Sequence, residues 1–336
     1  MMNAVVCNAP GQLTLERRPR PERASGEVLI RIRRVGICGT DMHIFRGTQP
    51  FLAYPRIMGH ELAGEVVEAP DGGLPPGTPV YVMPYMSCGH CAACRKGKPN
   101  CCMNIQVLGV HRDGGLAEYL AVPAGFVRSA RGVTLDQAAM IEFLAIGAHA
   151  VRRADARPGQ QVLVVGAGPI GIAAALFAKL RGACVTAVDG RQDRLDFCAA
   201  HVSVDHVVAL SDTTPDALAT LTRGEFFDVV FDATGNPKSM EAGFAYVAHG
   251  GTYVLISVVA ADITFSDPEF HKRETTLLAS RNATLEDFEA VLQAMRAGQV
   301  PTEALNTHQA ALADLAQALP AWMEPEAGVI KAIVTC

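Results

Sequence analysis

Residues 161–171 of this 336-residue chain, Q-V-L-V-V-G-A-G-P-I-G, restrict its fold more than any other stretch. Residues 161–165 form a short, near-continuous apolar run, the signature of a strand buried on both faces of a parallel sheet. Gly166, Ala167, Gly168, Pro169, Ile170 and Gly171 follow, then an Ala-rich helical stretch to Leu180, then a second apolar strand over 184–188 that ends on Asp189. This is the dinucleotide fingerprint in the context it requires: glycines for a tight turn and close pyrophosphate approach, a helix N-terminus for the phosphates, and an acid for the ribose. Asp189 favours NAD over NADP because it accepts a ribose hydroxyl and repels a 2′-phosphate, although Arg191 and Arg194 close behind pull the other way. Further strands near 206–208, 228–231, 252–256 and 276–279 bring the count to six and predict an α/β, doubly wound parallel sheet. Thr234 lies in D-A-T-G-N at the end of the fourth strand, on the edge that faces a cofactor.

The chain is longer than one core usually grows, which predicts two domains. A hydrophobic content of 49% with 19% charge fits a globular protein, and no run of 18 apolar residues lacks a charge or a breaker. The N-terminus carries no basic and apolar leader, which points to the cytoplasm. A formal net charge of −5 offers nucleic acid or anionic lipid no basic excess. Of the ten cysteines, five fall within residues 88–102, a density that reads as metal binding rather than disulfides in such a chain. Cys88, Cys91, Cys94 and Cys102 follow C-x2-C-x2-C-x7-C, matching the four thiolates of structural zinc, with iron–sulfur ligation as the chemical rival. Cys101 sits beside the fourth position, and His90 reads as a solvated bystander.

Three other places carry polar groups against apolar surroundings. The alternating run 28–33 reads as a strand and leads into V-G-I-C-G-T-D-M-H, where Cys38, Thr40, Asp41 and His43 fall where the strand gives way to a loop. Taken alone, Cys38 reads more readily as a small buried hydrophobe than as a ligand. Gly59, His60 and Glu61 offer a close backbone approach followed by metal-ligand or acid–base groups. Residues 135–151 read as a buried helix bearing one carboxylate, Glu142, which requires a metal, an arginine or a hydrogen-bond donor as partner. Residues 45–58, with Phe51 and Tyr54, either wall a pocket or pack as a surface loop.

In their order and spacing G-I-C-G-T-D-M-H, G-H-E, the cysteine set and G-A-G-P-I-G resemble the zinc-dependent medium-chain alcohol and polyol dehydrogenases, threonine/sorbitol branch, from end to end. The resemblance implies a β-rich, GroES-like catalytic domain at 1–149 and 282–336 with a structural-zinc loop at 88–102. It also implies an NAD-binding Rossmann domain at 150–281. It implies two zinc ions per chain. Cys38 and His60 match catalytic zinc ligands, and the third is expected at Glu142, where polyol-type members place a glutamate, ahead of Glu61, because adjacent side chains on extended backbone point opposite ways; exchange with Glu61 or with water stays open. Asp41 matches a carboxylate that orients the histidine, and Thr40 and His43 match a proton relay. Gly166, Gly168, Pro169, Ile170, Gly171, Asp189, Arg194 and Thr234 are the expected cofactor contacts, with Arg281 and Phe51 toward substrate. T-Q-P-F, G-V-H-R-D-G-G, F-S-D-P-E-F-H-K-R-E-T-T and S-R-N-A-T resemble bacterial sugar-acid oxidoreductases of the L-galactonate or L-gulonate 5-dehydrogenase type. The expected reaction oxidises a secondary alcohol to a ketone with hydride transfer to NAD, in a homodimer or homotetramer. L-threonine or sorbitol-like oxidation, and a non-catalytic NAD- or zinc-binding regulator, are the other readings.

Overall fold

A computed structural model describes residues 1–50 and 52–336, and Phe51, expected near substrate, lies outside the described residues. The chain divides into two compact units, Met1–Glu142 with Thr284–Cys336, and Phe143–Ala283. Among the described residues no helix is long and apolar enough to cross a membrane.

The first unit is β-rich. Its larger sheet runs Val127–Ser129, Pro79–Val82, Glu61–Glu68, Glu27–Ile37, Lys331–Thr335, Asn306–Ala311, and Tyr119–Pro123 also pairs with Glu27–Ile37. The strand Glu27–Ile37 is the organiser: its inward-facing Val28, Ile30, Ile32, Val35 and Ile37 belong to one buried cluster with Leu62, Val80, Leu116 and Val334. Alternation at Ile30, Arg31 and Ile32 places one face in this core and the other toward polar partners. Antiparallel register sets Gly36 opposite Glu61 on one side and opposite Ile333 on the other.

The second unit carries six parallel strands ordered His206–Ala209, Cys184–Asp189, Gln161–Val165, Phe227–Asp232, Val247–Leu255, Thr276–Ala279. The first strand in sequence lies in the middle and the order reverses beside it, so Gln161–Val165 and Phe227–Asp232 end at the topological switch point. Leu163, Val165, Val188, Phe227 and Val230 fill the core.

Two local expectations change. The single helix expected over 135–151 is two, Leu135–Ala138 and Ile141–Arg153. A tight bond from Met140 N–H to the Gln137 carbonyl closes the first, and the chain re-aims before Glu142. The polar cluster after Ile37 is not a loop but the helix Gly39–Arg46, capped by Cys38 and ended by left-handed Gly47.

Candidate metal centres and dinucleotide cradle

Asp41 explains why a helix begins at Cys38. One carboxylate oxygen accepts the Cys38 N–H at 3.0 Å, satisfying a donor that a helix start leaves open. The other accepts the Gly59 N–H at 3.1 Å, tying this helix to the Gly59, His60, Glu61 segment. Asp41 Oδ1 also stands 4.0 Å from His60 Nδ1, within ion-pair range though beyond a hydrogen bond. Thr40 Oγ1 lies 3.9 Å from Cys38 Sγ. His43 is exposed, and its Nδ1 pairs with the Thr48 hydroxyl at 2.9 Å.

Donor atoms of Cys38, His60 and Glu61 lie within 4.8 Å of one another. His60 and Glu61 are buried, and among the described residues His60 Nδ1 has no hydrogen-bond partner. Burial alone would push the His60 imidazole below its ordinary range. Asp41, Cys38 and Glu142 outweigh that and hold it well above 6.5. Glu61 is already paired: Lys331 Nζ donates to its two oxygens at 2.7 and 2.8 Å and to the Ile37 carbonyl at 3.1 Å. Gly36 makes this pairing possible, since a Cβ there would sit 2.0 Å from Glu61 Oε2. Glu142, also buried, accepts the Tyr85 hydroxyl on one oxygen, while the other has no partner among the described residues. Burial raises the Glu142 carboxyl to about 7, opposed by His60 and reinforced by Glu61. A half-buried thiol, a buried imidazole and two buried carboxylates, of which Glu61 has an oxygen within 4.8 Å of the Cys38 and His60 donors, form a set whose chemistry fits zinc.

Sequence reading missed Lys331. Its signal was present, a lysine within the apolar run V-I-K-A-I-V, but cross-strand pairing gives that lysine its meaning.

The second cluster is self-contained. Donor sulfurs of Cys88, Cys91, Cys94 and Cys102 lie within 4.8 Å of one another, with Cys91 Sγ 3.5 Å from Cys94 Sγ and 3.9 Å from Cys102 Sγ. These spacings are too long for a disulfide and bracket the ~3.8 Å edge of a tetrahedron with zinc–sulfur bonds of about 2.3 Å. Backbone N–H groups of Cys88 and Asn104 point at Cys102 Sγ at 3.2 and 3.3 Å. The Cys91 thiol is pushed down to about 6, chiefly by the backbone N–H of Cys94. Cys101 is exposed and stands apart from the four.

In the second unit the glycine turn has the shape that the fingerprint requires. Gly166 adopts φ 92°, and a Cβ on Gly171 would strike the Gly166 carbonyl oxygen at 1.7 Å. A Cβ on Gly168 would meet nothing within 4 Å, so open space lies before the N-terminus of helix Pro169–Leu180, where Pro169 occupies the first turn and Ile170 follows. Asp189 braces this turn: Oδ2 accepts the Ala167 N–H at 2.6 Å and Oδ1 the Arg191 N–H at 2.8 Å. Thr234 folds back on Asp232, its N–H at 2.9 Å and its hydroxyl at 2.7 Å from Oδ1. Arg194 is buried on the helix Gln192–Phe197. Arg281 is exposed just beyond the strand Thr276–Ala279.

Residues 24–131 match the alcohol dehydrogenase GroES-like domain and residues 169–297 the zinc-binding dehydrogenase domain. Over 99% of both chains, the sequence is 42% identical to L-galactonate-5-dehydrogenase of Escherichia coli K12. The chain belongs to the zinc-type alcohol dehydrogenase family. It is accordingly an oxidoreductase of CH–OH donors, with a medium-chain, GroES-like and Rossmann-type architecture. Two solved members of the fold differ in their nucleotide. An alcohol dehydrogenase (rspB) of E. coli CFT073, complexed with NADH, aligns at TM-score 0.93 with 29% identity, covering 100% of this chain and 99% of its own. A zinc-binding dehydrogenase of Sinorhizobium meliloti 1021, bound to NADP, aligns at TM-score 0.92 with 26% identity over the same shares.

Proposed function

We propose that this dehydrogenase oxidises a secondary alcohol of a sugar acid, of the L-galactonate or L-gulonate type at the 5-position, to the ketone and passes hydride to NAD. The reading is carried by the 42% identity to L-galactonate-5-dehydrogenase, which runs through the whole chain. Cys38, His60 and Glu142 would hold the catalytic zinc, and Cys88, Cys91, Cys94 and Cys102 the structural one. Bound there, zinc would supply a Lewis acid that acidifies the substrate hydroxyl, and NAD would supply the hydride acceptor.

The chain's own residues do the rest. Lys331 neutralises Glu61, so this buried carboxylate adds no uncompensated charge beside Cys38. Asp41 fixes the start of the Cys38 helix and the Gly59 segment together, holding thiol and imidazole in register. The Thr40 hydroxyl, next to Cys38 Sγ, would receive the substrate's proton, and exposed His43 would release it to solvent. Gly166, Gly168, Pro169, Ile170 and Gly171 would seat the pyrophosphate, Asp189 the ribose, with Thr234 and Arg194 behind them. Arg281 would meet the substrate carboxylate through its guanidinium fork.

The test is NADH formation by zinc-loaded protein with L-galactonate, L-gulonate, sorbitol, L-threonine and simple alcohols. The reading expects the aldonates to give the highest kcat/KM, with activity abolished in Cys38→Ser. A preference for L-threonine or sorbitol would overturn the substrate, and silence across the panel would leave a binding protein. Size-exclusion with light scattering reads the expected homodimer or homotetramer.

A further inference from the structure

Two relatives of the same fold carry NADH and NADP respectively, so the architecture alone does not choose the nucleotide. In this chain the choice is crowded. Asp189 argues for NAD, but Arg191 and Arg194 follow it and would ordinarily suit a 2′-phosphate. The structure shows what holds them. Asp193 Oδ1 accepts Arg191 Nε at 3.0 Å and Oδ2 accepts Arg191 Nη2 at 2.7 Å, a two-pronged pair that fills the edge of the guanidinium best suited to a phosphate. The same Oδ2 lies 4.0 Å from Arg194 Nε. Arg191 is further oriented by its own N–H, which donates to Asp189 Oδ1 at 2.8 Å.

We propose that Asp193 is a second nucleotide-discriminating residue, which excludes NADP by occupying the fork of Arg191 and adding a negative charge beside Asp189. The inference rests on the reading of residues 166–189 as an NAD site. In stability such a pair counts for little, because the Asp193 side chain is 53% exposed and screened by solvent. In recognition its effect is larger. A 2′-phosphate arriving at Arg191 would have to displace a carboxylate already bonded through two nitrogens, and would then face two carboxylates instead of one. NAD presents a hydroxyl at that position and meets neither obstacle. Thus Asp189 gives the positive contact to the ribose, and Asp193 disarms the arginine that would otherwise offset it.

The experiment is direct titration of NADH and NADPH into wild type, Asp193→Asn and Asp189→Ala, followed by nucleotide fluorescence and calorimetry. Asp193→Asn keeps the size of an exposed side chain, so folding is preserved and is checked by thermal melting. The expected result is NADPH affinity raised on the order of tenfold in Asp193→Asn with NADH affinity nearly unchanged, since one charge-assisted contact is exchanged. Asp189→Ala should weaken NADH, a different pattern. Unchanged NADPH affinity in Asp193→Asn, while wild type binds NADH, would overturn the role of Asp193 and leave the NAD site standing. Absence of NADH binding by folded wild type would overturn both.

Discussion

Lys331 and Glu61 meet across Gly36: the ammonium of one is 2.7 and 2.8 Å from the two oxygens of the other, both side chains are fully buried, and no side chain intervenes on the strand between. The pairing keeps Lys331 charged. Burial works against the ammonium, Glu61 outweighs it, and the lysine rises above its ordinary 10.5.

Removing one partner of such a pair leaves an uncompensated buried charge. Lys331→Met should cost about 3–5 kcal/mol in denaturant unfolding, and Lys331→Met with Glu61→Gln should recover most of it. Equal destabilisation in the single and double variants would show that the loss comes from packing rather than charge.

Gly36→Ala tests the same contact from the strand. The added methyl would fall on Glu61 Oε2, which Lys331 pins, and would stand 3.0 Å from the Ala139 carbonyl. The expected cost is about 1–3 kcal/mol, the range for overpacking, measured as a fall in Tm.

Cys94→Ser should remove one metal from each chain. The loop 88–102 has short elements and little core of its own, so its order depends on what the four sulfurs hold. Elemental analysis should find one zinc ion fewer per chain than wild type, and proteolysis should cut first within the loop. Cys101→Ser, which alters the exposed neighbour, should leave both readouts unchanged.

Glu142 gives a pH dependence. Its folded-state carboxyl is raised from 4.5 to about 7 by burial, so the protonated form is the one that the fold favours. In zinc-free protein this contribution is fully present below about 4.5 and is lost as the pH rises through about 7, by up to about 3 kcal/mol. Glu142→Gln should flatten that part of the stability profile. A wild-type profile unchanged between pH 4.5 and 7.5 after chelation would argue against it.

Much of the second unit was legible in the residues themselves. A strand buried on both faces has to be apolar throughout, and a glycine turn has to precede the helix, so residues 161–171 and Asp189 marked the parallel sheet, while its strand order came from the structure. The cysteine spacing was equally local, and the structure added that Cys102 rather than Cys101 faces the cluster. Less legible was the stretch after Ile37. Read as a loop, it is a helix, because Asp41 satisfies the Cys38 N–H and so supplies the cap that the sequence pattern of cysteine and glycine does not advertise.

The sequence by itself determined the family architecture, the residue types of the candidate metal centres and the glycine cradle, since each depends on short-range spacing along the chain. Only the tertiary structure decided how the charged residues are partnered. Glu61 belongs to Lys331, 270 positions away, Glu142 to Tyr85, and Arg191 to Asp193. A carboxylate's role depends on which cation or donor reaches it after burial, and strand register rather than sequence distance sets that reach.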